Sequence, residues 1–300
     1  MSGVLVRGGR GTAPLPGRWV VLHQVTMRGG GPVDSVRSDA AGRFRLHVPR
    51  VDTLAVYVAS AFHNGLAYFS QPIRVLVGRA ATADTLVVYD TSSSGPAVRL
   101  RRRLLTVAKP KEDGARDVLE ILELENPGRV TRVAPDTLRP TWAGMLPPAA
   151  LQFQVGTGDF SADAVARRGD SVLLFAPLQP DGVRQLSYGY VLPGSVRAFA
   201  VPIDQPTDEL DLLIEDTLAV VSAPVLRPDS VTRIENRDFS RYRTGPLQAG
   251  ALVAITFPAP PVRLEKVLPL LVGVIVVVMG AGLWFALRGK PQTSNVGHQN

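Results

Sequence analysis

The sequence predicts an all-β protein made of two β-sandwich domains followed by one C-terminal transmembrane helix. Short apolar runs recur along the chain before residue 266, and glycine, proline or aspartate separates them, a pattern typical of sandwiches. No convincing helical periodicity occurs in that stretch. Residues 267–287 then read VLPLLVGVIVVVMGAGLWFAL, a run of 21 positions without a charge, which is long enough to cross a hydrocarbon core of about 30 Å as a helix.

The first predicted domain covers residues 1–90. Its apolar runs place strands at 19–25, 43–48, 54–59, 73–77 and 86–89. Several runs follow an aspartate, as at Asp52 and Asp84, and an aspartate side chain can close a turn onto main-chain N–H groups before the chain becomes extended. We interpret these aspartates as strand starts and not as a functional repeat, because their spacing is irregular.

The second predicted domain covers residues 98–250 and follows a linker at 91–97, where serine, glycine and proline favour a flexible connection. Its strands are predicted at 118–124, 151–155, 171–175, 185–191, 196–201, 210–214 and 218–221. Residues 251–266 include the sequence PAPP and are predicted as a stiff spacer above the bilayer. Residues 288–300 are predicted as a short polar tail after the span.

The net charge of +7 does not indicate nucleic-acid binding. Three of the 33 basic residues flank the predicted span, which leaves 30 basic against 26 acidic residues in the rest of the chain, an ordinary balance for that length. The absence of cysteine excludes disulfide bonds, thiolate metal sites and a thiol nucleophile. We therefore expect no nucleic-acid partner and no cysteine chemistry.

Three groups of charged residues are interpreted as solvated parts of strands. The basic group consists of Arg99, Arg101, Arg102 and Arg103, for which a phosphate or lipid-headgroup patch is the alternative. The first acidic group consists of Glu120, Glu123 and Glu125, which we expect to point largely toward water. The second acidic group consists of Asp204, Asp208, Glu209, Asp211, Glu215 and Asp216. Calcium is bound by several oxygen ligands, but the spacing of this group matches no calcium loop, so an exposed strand edge is predicted there.

Residues 3–90 resemble a known family. The sequence PLPG at 14–17 leads into the run VVL at 20–22, and DAAGRF at 39–44 follows. Together with Leu5, these stretches are similar to the carboxypeptidase regulatory-like family, a transthyretin-like β-sandwich. The resemblance implies a hairpin turn with a buried Phe44, and the residue types agree, since Asp39 can cap the turn and Gly42 can take a positive φ. It also implies a structural or recognition module and not an enzyme. No family is identified for residues 98–250.

No catalytic, cofactor-binding or metal-binding residue is predicted. His23 and His47 lie in predicted strands of the first domain and could approach each other across a sheet, but two histidines without a third ligand are weak evidence for a metal. A membrane-tethered hydrolase or metal-binding protein that uses these histidines is one alternative function. A carbohydrate-binding ectodomain is another, and it would need exposed aromatic rings, for which the candidates are Trp19, Tyr57 and Trp142.

We therefore expect a non-enzymatic, single-pass protein of the bacterial cell membrane that acts in protein recognition or as a structural part of an envelope assembly. It would contact the lipid bilayer through residues 267–287 and use no cofactor, while its protein partner and its oligomeric state stay open. Basic residues flank the span on both sides, so the topology rule is tied. The weakly basic tail favours an extracytoplasmic body, with a signal peptide lost to a start codon placed too late. A cytoplasmic, tail-anchored body is the alternative.

Overall fold

The computed structural model describes residues 1–78, 81–180, 182–223 and 226–258. These residues form 23 β-strands and one short 3₁₀ helix, Ala162–Ala164, so the prediction of an all-β protein is confirmed. Within these ranges, no helix has the length and apolar character needed to cross a bilayer. The predicted transmembrane helix at 267–287 and the predicted tail at 288–300 lie outside the described residues.

The first eight strands form two four-stranded sheets. They are β1 (Ser2–Arg7), β2 (Ala13–Pro14), β3 (Trp19–Thr26), β4 (Gly29–Arg37), β5 (Arg43–Arg45), β6 (Val56–His63), β7 (Leu66–Phe69) and β8 (Leu86–Val88). One sheet has the order β2-β1-β5, with β8 parallel to β1, and the other has the antiparallel order β4-β3-β6-β7. Side chains from both sheets, including Leu5, Leu22 and Tyr57, form one buried cluster. We call this cluster the first core.

The turn that precedes Phe44 has the structure that its residue types predict. Oδ1 of Asp39 accepts hydrogen bonds from the main-chain N–H groups of Ala41 at 2.9 Å and Arg43 at 2.8 Å. Gly42 has a φ of 73°, and a Cβ at this position would lie 2.3 Å from the carbonyl oxygen of Leu5. Phe44 is only 4% exposed. The predictions for Asp39, Gly42 and Phe44 are therefore confirmed.

The strands of the first ninety residues differ from the predictions in several places. Strands β2, β4 and β7 were not predicted. Residues 73–77 form no strand, and Ile73 makes only an isolated bridge with Tyr57. Strand β4 contains three glycines and a proline, so it lacks the apolar alternation that identifies strands in a sequence. It is extended because it pairs with β3 along its whole length. Strand pairing thus decides both stretches against local preference: β4 has a partner strand, whereas residues 73–77 have only the single bridge at Ile73.

The later strands form a seven-stranded sheet, two three-stranded sheets and one short pair. They are β9 (Thr91–Ser92), β10 (Arg99–Val107), β11 (Arg116–Glu125), β12 (Thr131–Arg132), β13 (Trp142–Met145), β14 (Leu151–Val155), β15 (Val165–Arg168), β16 (Ser171–Leu174), β17 (Val183–Leu192), β18 (Ala198–Val201), β19 (Thr207–Ile214), β20 (Val220–Ser222), β21 (Arg227–Ile234), β22 (Arg237–Thr244) and β23 (Val253–Thr256). The large sheet has the order β14-β17-β11-β10-β19-β22-β21, and the small sheets have the orders β13-β16-β15 and β18-β23-β20. Side chains from all three sheets form a second buried cluster, which we call the second core.

The segment predicted as a flexible linker, residues 91–97, is bound to the part that follows it. Strand β9 pairs in parallel with β12, and Nη1 of Arg132 donates to the carbonyl oxygen of Pro96 at 3.0 Å. The hydroxyl of Tyr68 donates to the carbonyl of Tyr89 at 2.8 Å and lies 2.9 Å from Oγ1 of Thr131. Residues Met1–Pro258 accordingly form one compact unit that contains both cores.

The second core extends into the stretch predicted as a spacer, residues 251–266. Strand β23 lies between β18 and β20, and Val253, Ile255 and Phe257 are buried in the second core. The reason is their spacing of two residues, which places all three side chains on the same face of the strand. Residues 251–257, predicted as part of the spacer, therefore belong to the folded domain that contains the second core.

We expect a chain that ends at Pro258 to fold without the residues that follow, because both cores lie within it. Its far-ultraviolet circular dichroism should be that of a sheet protein with little helix, and it should unfold cooperatively on heating. A chain that ends at Gly250 is the matched control, since it lacks only β23 and the residues around it, and it should lose the ordered second core. Aggregation of the longer chain, or equal stability of the two, would contradict this expectation.

Candidate functional site

The outer face of the sheet β4-β3-β6-β7 carries three large exposed aromatic side chains. Trp19 on β3 is 53% exposed, Phe62 on β6 is 66% exposed and Phe69 on β7 is 61% exposed. The pairing of Val20 with Ala61 places Trp19 and Phe62 opposite each other on neighbouring strands, and β7, with Phe69, pairs with β6. We call Trp19, Phe62 and Phe69 the aromatic face.

The period of the strands explains why this face is apolar. Side chains alternate between the two faces of a sheet, so on β3 Val20 and Leu22 point into the first core while Trp19 and Val21 point outward. Strand β6 alternates in the same way. Antiparallel sheets such as this one commonly have one polar face toward solvent, so apolar side chains on the outer face are unusual. The composition of β3 and β6 therefore makes the aromatic face a candidate interaction surface.

Polar groups lie next to two of the three rings. The guanidinium carbon of Arg37 is 4.9 Å from the centre of the Trp19 ring, which is within the range of a cation–π interaction. Nε2 of His23 is 2.8 Å from Oγ of Ser60, and the centre of the His23 ring is 6.4 Å from that of Phe69. Trp19 and Phe69 therefore each contact a polar neighbour and still expose more than half of their surface.

The charge at the aromatic face is positive. Asp34 is the only acidic residue in the described strands β3, β4, β6 and β7, and it pairs with Leu22, whose side chain points into the core. The carboxylate of Asp34 accepts a hydrogen bond from the main-chain N–H of His47. Arg37 is thus the charged group that these four strands present beside the rings.

The two histidines of the hydrolase or metal alternative lie on different sheets. His23 is on β3, whereas His47 follows β5, which belongs to the sheet β2-β1-β5. Among the residues that the structure describes, no three histidine, aspartate or glutamate side chains are placed to hold a metal ion. The structure therefore does not bring His23 and His47 to a common third ligand.

Of the three rings named for carbohydrate binding, only Trp19 is exposed. Tyr57 belongs to the first core and Trp142 to the second, so these two candidates were wrong. Sequence reasoning did not single out Phe62 and Phe69. The alternation of side chains along a strand could have identified Phe62. It is five residues from the buried Tyr57 on strand β6, so its side chain lies on the opposite, outer face.

Arg103 and Glu120 are buried, so the prediction that these charges face water is wrong for both. Their side chains are 3% and 0% exposed and lie on the neighbouring strands β10 and β11. Nε of Arg103 donates to Oε2 of Glu120 at 2.8 Å, and the hydroxyls of Tyr188 and Tyr190 donate to the same carboxylate at 3.2 and 3.0 Å. We call these four residues the buried ion-pair cluster.

An irregularity in strand pairing decides which arginine is buried. The register of β10 against β11 shifts between Leu100 and Arg102, and a bulge moves the following residues to the opposite face of the sheet. Leu100 points into the second core before the shift, and Arg103 and Leu105 do so after it. A regular strand that buried Leu100 would have exposed Arg103. The position of a bulge cannot be inferred from apolar alternation alone.

The buried ion-pair cluster is a structural feature of the second core. Burial raises the pKa of Tyr188 well above its usual value, and the negative charge of Glu120 raises it further. Burial alone would lower the pKa of Arg103, but the charge of Glu120 more than offsets this effect and raises it. Arg103 and both tyrosines therefore keep their protons at physiological pH, and they act as hydrogen-bond donors to Glu120.

Asp211 is also buried, which corrects the prediction of an exposed strand edge. Its strand, β19, lies between β10 and β22 in the large sheet. Oδ1 of Asp211 accepts a hydrogen bond from Nε of Arg241 at 2.8 Å, and Arg102 and Arg243 approach its carboxylate at 3.1 and 3.6 Å. Burial raises the pKa of Asp211, but the hydrogen bonds and charges of these arginines outweigh it and hold the pKa below its usual value. Arginines thus occupy the oxygens that a calcium ion would need.

Comparisons with known proteins do not identify a family. No protein-family model matches the sequence, and no curated protein is significantly similar to it. Among solved structures, the chain is similar to a two-domain M1 zinc metallopeptidase bound to L-tryptophan, with 12% identity and a TM-score of 0.36, over 57% of this chain and 46% of the other. It is also similar to the yeast delta-COP-I mu-homology domain in complex with a Dsl1 peptide, with 10% identity and a TM-score of 0.17. That match covers 55% of this chain and 76% of the other. The major pilin subunit of Bacillus cereus matches at 11% identity and a TM-score of 0.17, and the match covers 86% of this chain and 85% of the pilin. This chain spans less than half of the metallopeptidase, and similarities at these scores carry no argument about function.

Proposed function

We propose that this protein is a non-enzymatic recognition module of the bacterial envelope whose aromatic face binds a protein partner. The observation that carries the proposal is the exposure of Trp19, Phe62 and Phe69 on one sheet face. In this proposal two β-sandwich domains, the first of the carboxypeptidase regulatory-like type, are held at the cell membrane by the helix at 267–287. The two separate cores support two domains, and the turn at Asp39 supports the type proposed for the first. The support for the membrane helix is the uncharged apolar run at 267–287.

The chemistry of the aromatic face favours a protein as its partner. Large exposed aromatic side chains grouped on one face are uncommon on monomers and mark interaction surfaces. Aromatic residues and arginine are enriched at the centres of protein interfaces, where a few of them supply most of the binding energy. Trp19 beside Arg37 has this composition. Because Arg37 is the charged group at this face, the partner surface should be apolar with an acidic residue near Arg37.

Site-specific photo-cross-linking in the native membrane tests this proposal. A benzophenone amino acid at position 62 of the full chain should form a discrete adduct with one protein. The same amino acid in place of Leu138, which is exposed but far from this sheet in the chain, is the control and should form no such adduct. Trp19→Ala or Phe69→Ala should each reduce the adduct from position 62 by tenfold or more, since truncation of a central interface residue costs about 2 kcal/mol or more.

Two outcomes would contradict the proposal. Equal adducts from positions 62 and 138 would mean that the aromatic face has no specific partner. Retention of the full chain on an insoluble polysaccharide, lost in Trp19→Ala and accompanied by no protein adduct at position 62, would instead favour the carbohydrate-binding alternative. That alternative is open to test because the Trp19 ring is exposed.

A further inference from the structure

A cleft of about 800 Å³ lies between the loop that joins β1 to β2 and the turn that follows β11. One wall is the glycine-rich segment RGGRG at 7–11, and the other is formed by Pro127, Gly128 and Arg129. Asp90 and Pro96 line the space between them. The volume is within the range of small-molecule sites.

Both walls of the cleft are held in place by buried groups. Asn126 is buried, and its Oδ1 accepts a hydrogen bond from the N–H of Gly128 at 2.9 Å while its Nδ2 donates to the carbonyl of Val130 at 2.8 Å. On the other wall, the N–H of Gly8 donates to the carbonyl of Val88 at 2.9 Å. These hydrogen bonds fix the turn at Gly128 and the start of the loop at Gly8.

The one acidic group of the cleft is already paired. Asp90 accepts hydrogen bonds from Nε2 of His63 at 2.9 Å and from Nδ2 of Asn64 at 3.1 Å, and Nη1 of Arg7 lies 3.7 Å from its other oxygen. The hydrogen bond from His63 lowers the pKa of Asp90, and the charge of Arg7 adds to this effect. Asp90 is thus ionised at neutral pH and balances the charge of Arg7.

Two arginines of the cleft have no counter-charge. In the described ranges, the side chains of Arg10 and Arg129 make no ion pair and no hydrogen bond, and both residues are exposed. The chain segments that carry them are near each other, because a Cβ on Gly9 would lie 3.7 Å from the carbonyl oxygen of Arg129, and both residues line the cleft. The main-chain N–H groups of Gly9, Arg10 and Gly11 also have no partner among the described residues. Successive free N–H groups in a glycine-rich loop are suited to an anion.

We infer that this cleft binds the phosphate dianion of a phosphate monoester, with Arg10 and Arg129 as its charged ligands. The charge of a phosphate monoester at neutral pH is between about −1.5 and −2, which matches the two unpaired guanidinium groups. Each guanidinium can donate two parallel hydrogen bonds to phosphate oxygens, and the free N–H groups of the loop can donate to the remaining oxygen. The phosphate can come from a lipid headgroup or from a soluble phosphate ester.

Calorimetric titration of the full chain in a neutral detergent tests this inference. The probes are inorganic phosphate and dioctanoyl phosphatidic acid, a short-chain lipid with a monoester headgroup. Arg10→Ala and Arg129→Ala should each weaken phosphate binding about tenfold, and the double variant should show no saturable binding, because hydrogen bonds to charged groups contribute on this scale. Both side chains are exposed and unpaired, so the melting temperature should not change.

Arg184→Ala is the matched control, since Arg184 is an exposed arginine without an ion pair in the described part of the chain and lies outside the cleft. Phosphate affinity should be unchanged in this variant. At least tenfold tighter binding of the short-chain lipid than of inorganic phosphate identifies a lipid headgroup as the source, and similar affinities identify a soluble ester. Absence of saturation, or an equal loss in all three single variants, indicates an adventitious ion only and overturns the inference.

Discussion

Replacement of Glu120 by glutamine is expected to lower the free energy of unfolding by about 3–5 kcal/mol. Glutamine has nearly the shape of glutamate, but it lacks the negative charge and has one acceptor oxygen where the carboxylate has two. Tyr188 and Tyr190 donate to different oxygens of Glu120, so one of these hydrogen bonds is lost together with the charge. Arg103, which is 3% exposed, would then be a buried cation without a counter-ion. Urea denaturation of the full chain, followed by near-ultraviolet circular dichroism and extrapolated linearly to water, measures the loss.

Glu123→Gln is the matched control for this prediction. Glu123 is on the same strand as Glu120 but faces the outer side of the sheet and is partly exposed, so its replacement should change the free energy of unfolding by about 0.5 kcal/mol or less. The double change Arg103→Met with Glu120→Gln should recover most of the loss, because it removes the unpaired cation. A loss in Glu120→Gln no larger than that in Glu123→Gln would show that the ion pair does not contribute.

Replacement of Phe44 by alanine should destabilise the first core by about 3–5 kcal/mol. The ring is 4% exposed and packs in the first core, and its removal leaves a cavity that the two sheets can fill only in part. Gly3 is one close neighbour, since a Cβ at that position would lie 2.5 Å from the Phe44 ring. Native-state hydrogen exchange, read by mass spectrometry on peptides from residues 1–90, should show a matching loss of protection.

Phe62→Ala is the control for Phe44→Ala, because it removes the same ring from a site that is 66% exposed. It should leave the protection of residues 1–90 nearly unchanged while it abolishes the contact proposed for the aromatic face. The opposite result, with greater destabilisation by Phe62→Ala than by Phe44→Ala, would reverse the assignment of inner and outer faces. The pair of variants thus separates the stability of the fold from partner recognition.

Local features of the chain could be predicted from the sequence. The turn around Asp39 needs only an acceptor side chain and a glycine with a φ of 73° within a few residues, and such short-range interactions follow from residue type. The burial of Phe44 and the all-β class depend on alternation over a few positions, which the sequence also displays. Strand β4 was missed because its pairing with β3, and not its own composition, makes it extended.

The sites could be predicted only in part. Trp19 was a candidate from its residue type, but whether a ring is exposed depends on which face of the sheet it occupies, and Tyr57 and Trp142 proved to be buried. Arg10 and Arg129 are separated by more than a hundred positions in the sequence. They line one cleft because the loop at Gly9 approaches the turn at Arg129, and no local pattern encodes this approach.

The sequence by itself determined the all-β class, the apolar periodicity of most strands and the turn before Phe44, because these depend on interactions between residues close in the chain. The tertiary structure alone decided which charges are buried and which rings are exposed. A single register shift in β10 turns Arg103 toward Glu120, and the partners in that cluster are as far as 70 positions apart. The physical reason is that the face of a strand depends on strand pairing, and pairing is fixed by the packing of distant segments against one another.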